Sequence, residues 1–161
     1  MSLMNDSLRD AICEQISHEK YNANLYLCIC GLLRNKGFDN LAKHFLEQHE
    51  EETEHSLEFF NLLTDLNTYV YIPEIDEIKV SFESIIGIAS AYLDREILTT
   101  NSIDEIKKLA IQDNSPVVEE KMREMITKQQ KEYEEAATFQ DNAILCGDDW
   151  WKVKIWNDSL S

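Results

Sequence analysis

The stretch NTYVYIPEIDEIKV, Asn67 to Val80, carries β-branched residues and a proline and shows no helical period. The segments on either side of it do. Extended at ~3.3 Å per residue, the stretch spans about 46 Å, enough to run the length of a helix of about 25 residues at 1.5 Å per residue. It therefore reads as one long crossover between helical hairpins.

Working outward, hydrophobic periodicity marks four long helices. The first runs from about Ser7 to Asn35 and stops at the turn Asn35-Lys36-Gly37. The second begins near Phe38-Asp39 and continues to about Leu66. The third starts after Ser81, taken as its N-cap, and reaches about Gln112. Asp113-Asn114-Ser115-Pro116 then places a cap and an N1 proline before the fourth, which ends at Gly147. The tail DDWWKVKIWNDSL, within 148–161, reads as a short fifth helix packed through Trp150, Trp151 and Trp156. Helices joined by a few residues pair antiparallel. The expected fold is all-α: a four-helix bundle with one long crossover between helices two and three, plus a short C-terminal helix.

Composition agrees. The 161 residues fit a single domain over 1–161, and only 4 Gly and 2 Pro favour helix. A formal net charge of -16 argues against a nucleic-acid partner or an anionic membrane surface and favours cations. No apolar run approaches the ~20 residues of a membrane span, and no signal peptide is expected. Met1-Ser2-Leu3 reads as an expression scar within an N-terminal extension, 1–6. Cys13, Cys28, Cys30 and Cys146 show neither metal nor disulfide spacing, so reduced, mostly buried thiols and a cytoplasmic location are expected.

Spacings of three and four trace the face each helix turns to the core. In EQHEEETEHSLEFF, Glu47 to Phe60, that face selects Glu52 and His55 from six glutamates and two histidines. Helix one contributes Ile12, Ile16, Glu19, Ala23, Tyr26, Cys30 and Leu33. Helix three contributes Ile85, Ala89, Tyr92, Glu96, Thr99, Ile103 and Ile106, and helix four Val118, Met122, Met125, Gln129, Glu132, Ala136 and Phe139. Each seam is apolar at both ends and polar at mid-helix. Several carboxylates in one core would each cost several kcal/mol without cations. The seams hold no Lys or Arg, so bound metal is the reading that satisfies them. Carboxylates with one imidazole and no thiolate suit iron or manganese, with zinc as a competitor. Helical carboxylates with an E-x-x-H pair are the pattern of di-iron bundle cores.

On these residues the chain resembles a non-haem ferritin, the bacterial type most closely, from Leu8 to about Leu160. Glu19 in HEKYNANLY matches the family's first-helix ligand and Tyr26 the tyrosine beside the site. Glu52 and His55 in EEETEH match the bridging glutamate and the histidine ligand. Glu96 in LDREIL matches the third-helix ligand, and Gln129 and Glu132 in ITKQQKE match the bacterial Q-x-x-E. The resemblance implies a first iron on Glu19, Glu52 and His55, and a second on Glu52, Glu96 and Gln129 with Glu132 near. It further implies a cytoplasmic iron-storage ferroxidase, an oxidoreductase that uses dioxygen or hydrogen peroxide, in a homo-oligomeric shell of 24 subunits. The alternative is an inactive bundle or shell subunit holding metal structurally.

Haem is not expected, because Thr53 stands where haem-binding relatives carry a methionine. Gln129-x-x-Glu132 replaces their second E-x-x-H. Glu47, Glu51, Glu54 and Glu58 form a stripe one step from the seam, with Glu51 and Glu54 at positions where the family nucleates mineral. Glu119 and Glu120 lie near the family's iron entry pores. At the family's third-iron positions stand Glu51, Lys128, Lys131 and Glu132, and the two lysines are expected to weaken or abolish that site. His18, His44 and His49 fall off the seams and are expected on the surface.

Overall fold

The computed structural model describes residues 4–160; the expected scar at 1–3 lies outside the described residues. Five helices follow in order: α1 (Asp6–Asn35), α2 (Asp39–Asp65), α3 (Ile85–Gln112), α4 (Pro116–Cys146) and α5 (Trp150–Ser159). No strand occurs among the described residues. α1 packs on α2 and α3 on α4, and the two hairpins meet along α1 and α3. The expected fold class is the one observed.

Local chemistry sets the helix ends. Asn5 caps α1 by accepting from the Leu8 amide at 2.9 Å, and Gly37, at φ 82, turns the chain into α2. α3 is capped by Ser84, which accepts from the Gly87 amide at 3.0 Å, and not by Ser81. Phe82 packs against the core, which holds the chain before Ser84 outside the helix. Pro116 opens α4, where its missing N–H costs nothing, and Gly147 at φ 62 closes it.

The crossover runs beside α1 and is tied to it. The Tyr71 hydroxyl donates to Asp10 at 2.9 Å, and the Ser17 hydroxyl donates to the Pro73 carbonyl at 2.6 Å. Val70 and Tyr71 pack on one apolar cluster, Ile78 and Phe82 on the other. The segment therefore travels the length of the bundle.

α5 closes one end. Trp150 stacks on Phe38 with ring centroids 5.8 Å apart, Trp156 meets Phe139 at 4.9 Å, and Val153 is wholly buried. Phe38 makes no side-chain cap for α2. Asn157 replaces it from a distance, its carboxamide oxygen accepting from the Asn40 and Leu41 amides at 3.0 Å each.

The core is divided. One cluster is built around Tyr26, Phe45, Tyr92 and Phe139, the other around Ile12, Phe59, Ile103 and Met122. Between them lies a buried polar layer that includes Glu19, Glu52, Glu96, Gln129 and Glu132. Cys13, Cys30 and Cys146 are buried free thiols, while Cys28 is exposed.

Candidate metal centre

Glu19, Glu52 and Glu96 are fully excluded from solvent, and Glu132 nearly so at 6 % exposure. A helical position reaches the axis of a bundle only on its seam, and each of the four long helices supplies at least one of these side chains. The structure brings them together as the seams predict. Glu19, Glu52 and His55 can place one ligand atom each within 4.8 Å of one another. Glu52, Glu96 and Glu132 form a second such group, so Glu52 is common to both. His55 joins them: Nδ1 lies 3.8 Å from Glu52 and 4.0 Å from Glu19, and Nε2 lies 3.3 Å from Glu132.

The carboxylates differ in how they are held. Gln15 donates to Glu19 Oε1 at 3.0 Å. Glu96 is held at both oxygens, by the Tyr26 hydroxyl at 2.7 Å and the Gln129 carboxamide at 2.6 Å. Gln129 therefore orients Glu96, and Glu132 supplies the third carboxylate of the second group. Glu19 Oε2, both oxygens of Glu52 and Glu132 Oε2 are buried and accept no hydrogen bond. Among the described residues no Lys or Arg pairs with any of the four. Buried carboxylate oxygens without a donor are costly, and a divalent cation is the partner this donor set fits.

The electrostatics agree. Burial, reinforced by the neighbouring Glu52 charge, raises Glu19 well above the ordinary carboxyl range. Burial does the same to Glu52, with the nearby Glu19 carboxyl and Asn22 carboxamide acting the other way. Burial and the Glu96 and Glu19 charges push Glu132 up to about 10. Burial of these groups together disfavours their charged forms when no cation is bound.

The centre opens between α2 and α4. A cavity of about 410 Å³ has His55 and Glu132 at its inner end and Glu51, Glu54 and Glu58 along its α2 side. Lys128 and Lys131 line it from α4 and pair with other lining carboxylates: Lys128 reaches across to Glu58 at 3.1 Å and Lys131 approaches Glu135 at 3.9 Å. Lys121 reaches the same Glu58 oxygen, Oε1, at 3.2 Å. Glu51 is exposed and stands close enough to Glu132 to raise it further.

The off-seam histidines are half-buried against neighbouring helices and not openly exposed as expected. His44 Nε2 lies 3.2 Å from the Tyr92 hydroxyl, and His49 Nδ1 lies 2.7 Å from the Ala23 carbonyl. His18 contacts Thr99 and Arg95 on α3. Each helix of a bundle faces two neighbours, so positions beside the seam meet a second helix. Gln15 and Arg95 were also missed; both lie beside a seam residue, and only the distance across the bundle reveals their partners.

The model of the ferritin family, described as a ferritin-like domain, matches residues 9–144. The chain belongs to the ferritin-like family. Its sequence is 22 % identical over 111 residues to a bacterial non-heme ferritin of Staphylococcus aureus, covering 69 % of this chain and 67 % of that one. Against the bacterial non-heme ferritin of Staphylococcus saprophyticus the identity is 25 %, covering 69 % and 66 %. The fold matches the open-pore ferritin of the hyperthermophilic archaeon Archaeoglobus fulgidus with a TM-score of 0.92 at 20 % identity, over 100 % of this chain and 98 % of that one. A humanized archaeal ferritin superposes at 0.91, again with 20 % identity, covering 98 % and 96 %. Within the family frame, the buried carboxylate layer occupies the middle of the ferritin-like bundle. No helix among the described residues is long and apolar enough to cross a membrane.

Proposed function

We propose that this chain is a non-haem ferritin subunit that oxidises ferrous iron at a di-iron centre and stores the ferric product. Ferrous ions are the substrate. Glu19, Glu52 and His55 hold one, Glu52, Glu96 and Glu132 the other, and Glu52 bridges. Tyr26 and Gln129 hold Glu96 in place. The observation that carries this reading is the set of buried carboxylate oxygens without donors, converging from both hairpins.

Each ferrous ion gives up one electron. Dioxygen that takes both with two protons leaves as hydrogen peroxide, and hydrogen peroxide that takes both with two protons leaves as two waters. The acidic cavity between α2 and α4, lined by Glu51, Glu54 and Glu58, supports passage of iron between the centre and the interior of a homo-oligomeric shell. Twenty-four subunits and a cytoplasmic location belong to the same reading, with neither haem nor nucleic acid involved. Exposed Leu27, Ile72, Leu145 and Trp151 support assembly.

Aerobic addition of ferrous salt, followed by near-ultraviolet absorbance, tests the activity. Oxidation much faster than in protein-free buffer, with the ferric product kept in solution, is expected. A rate equal to buffer contradicts it. Light scattering tests the shell: a species of many subunits is expected, and a stable monomer of 18.8 kDa contradicts assembly.

A further inference from the structure

His18, Asn22, Arg95 and Thr99 form a closed ring of hydrogen bonds across the contact between α1 and α3. Arg95 Nε donates to Asn22 Oδ1 at 2.6 Å, and its Nη2 lies 3.1 Å from His18 Nδ1. A guanidinium can only donate, so Nδ1 accepts and the neutral ring carries its proton on Nε2. That nitrogen meets Thr99 Oγ1 at 2.6 Å, and Asn22 Nδ2 donates to the same oxygen at 3.0 Å. The Thr99 hydroxyl gives its own proton to the Arg95 carbonyl at 2.9 Å. Its one donor and two acceptors are all used. Asn22 and Thr99 are wholly buried, and the Arg95 guanidinium also covers the Tyr21 ring at 4.5 Å.

The placement of this ring is specific. His18 precedes Glu19 and Asn22 follows it by three residues; Arg95 precedes Glu96 and Thr99 follows it by three. The first ligand group, Glu19, Glu52 and His55, comes entirely from the α1–α2 hairpin. The second takes Glu52 from that hairpin and Glu96 and Glu132 from the other. Only the second depends on how the hairpins dock. A fully satisfied buried polar network rigidifies the contact and specifies one docking geometry.

We propose that the ring of His18, Asn22, Arg95 and Thr99 is a positioning device that sets the hairpins at the separation the second ion requires. The proposal rests on the metal-centre reading above. None of the four residues is a ligand; they act through Glu52 and Glu96.

Cobalt(II) titration of the full chain, by calorimetry and by its d–d absorption, tests the ring without requiring turnover. Thr99→Val keeps shape and removes the hydroxyl. It is expected to leave the first ion's affinity unchanged, to weaken the second by about 10- to 100-fold, and to alter the second ion's spectrum. Thr99→Ser restores both. Should Thr99→Val not fold, His18→Ala, at a half-buried position, breaks the same ring with the same expected result. Unchanged binding of both ions overturns the proposal, even where the melting temperature falls, because the ring then serves stability alone. Equal weakening of both ions also overturns it. If the wild-type chain binds no cobalt, the metal-centre reading fails and the ring's role with it. Two ions held alike by wild type and variant leave the centre standing and remove the ring's role alone.

Discussion

The Tyr26 hydroxyl donates to Glu96 Oε1 at 2.7 Å, from α1 to α3, with both side chains wholly excluded from solvent. Gln129 holds the other oxygen of the same carboxylate, while neither oxygen of Glu52 is held at all. Glu96 is therefore set in position before metal arrives, and Glu52 is left free to bridge. Tyr26→Phe removes one of the two bonds at little cost in packing. Leaving a buried polar group without its partner costs about 1–3 kcal/mol, so urea denaturation of the metal-free variant should show a loss of that order, accompanied by slower ferrous oxidation. Full stability and full rate in the variant would mean that the bond does not organise the site.

Asn157 caps α2 from α5, replacing the cap that Phe38 cannot make. Asn157→Ala leaves two amides without their acceptor and should cost about 1–2 kcal/mol. Asn157→Asp keeps the acceptor oxygen and adds a favourable charge at a helix N-terminus but gives up the Asn157 Nδ2 bond to Asp158 at 3.1 Å and sets two carboxylates together, so it should recover only part of the loss. Thermal melts of the two variants decide this; an equal loss in both would show that the carboxamide does not act as a cap.

The pH dependence of the metal-free protein follows from the raised carboxyl groups. Glu19 and Glu52 lie well above the ordinary range and Glu132 is pushed up to about 10, in each case chiefly by burial. The unfolded chain releases these protons near pH ~4.3, while the folded chain keeps them. Their contribution to stability is thus complete below that value and is lost as pH rises toward the folded values. Metal displaces the same protons, so stabilisation by cobalt(II) should grow with pH. Melts at pH 5.5 and 8, with and without cobalt, check both trends. Glu132→Gln should flatten the metal-free slope, and a slope left unchanged would contradict the assignment.

The seam periodicity placed Glu19, Glu52, His55, Glu96, Gln129 and Glu132 in the core because a period of 3.6 determines which face of a helix is buried. The crossover was readable from its length, its proline and its lost period. Partners across helices were not. The ring around Arg95, the Gln15 hold on Glu19 and the Asn157 cap each join residues from separate elements, and no spacing within one helix encodes that meeting. The third-helix cap was misplaced because Ser81 and Ser84 are equivalent in type; the packing of Phe82 chooses between them. The lysines facing the cavity show a similar gap, since type and position gave their charge but not their turn toward Glu58 and Glu135.

Those lysines bear on a third ion. Lys128 and Lys131 line the cavity beside Glu51 and Glu132, so the ground expected for a third ion carries two cationic side chains. Anaerobic ferrous titration should saturate near two tightly held ions per chain. Lys128→Glu with Lys131→Glu should add a third, weaker one. A third tight ion in the unaltered chain would show that Glu51 and Glu132 suffice.

The most direct measurement compares neighbours of equal charge on one helix. Glu52 is wholly buried and common to both ligand groups, while Glu50 is exposed and belongs to neither. Ferrous oxidation by Glu52→Ala should be slower than wild type by orders of magnitude, with His55→Ala similarly slowed, and Glu50→Ala should oxidise iron at nearly the wild-type rate. Equal rates for Glu50→Ala and Glu52→Ala would contradict an intra-bundle centre as the place where iron is oxidised.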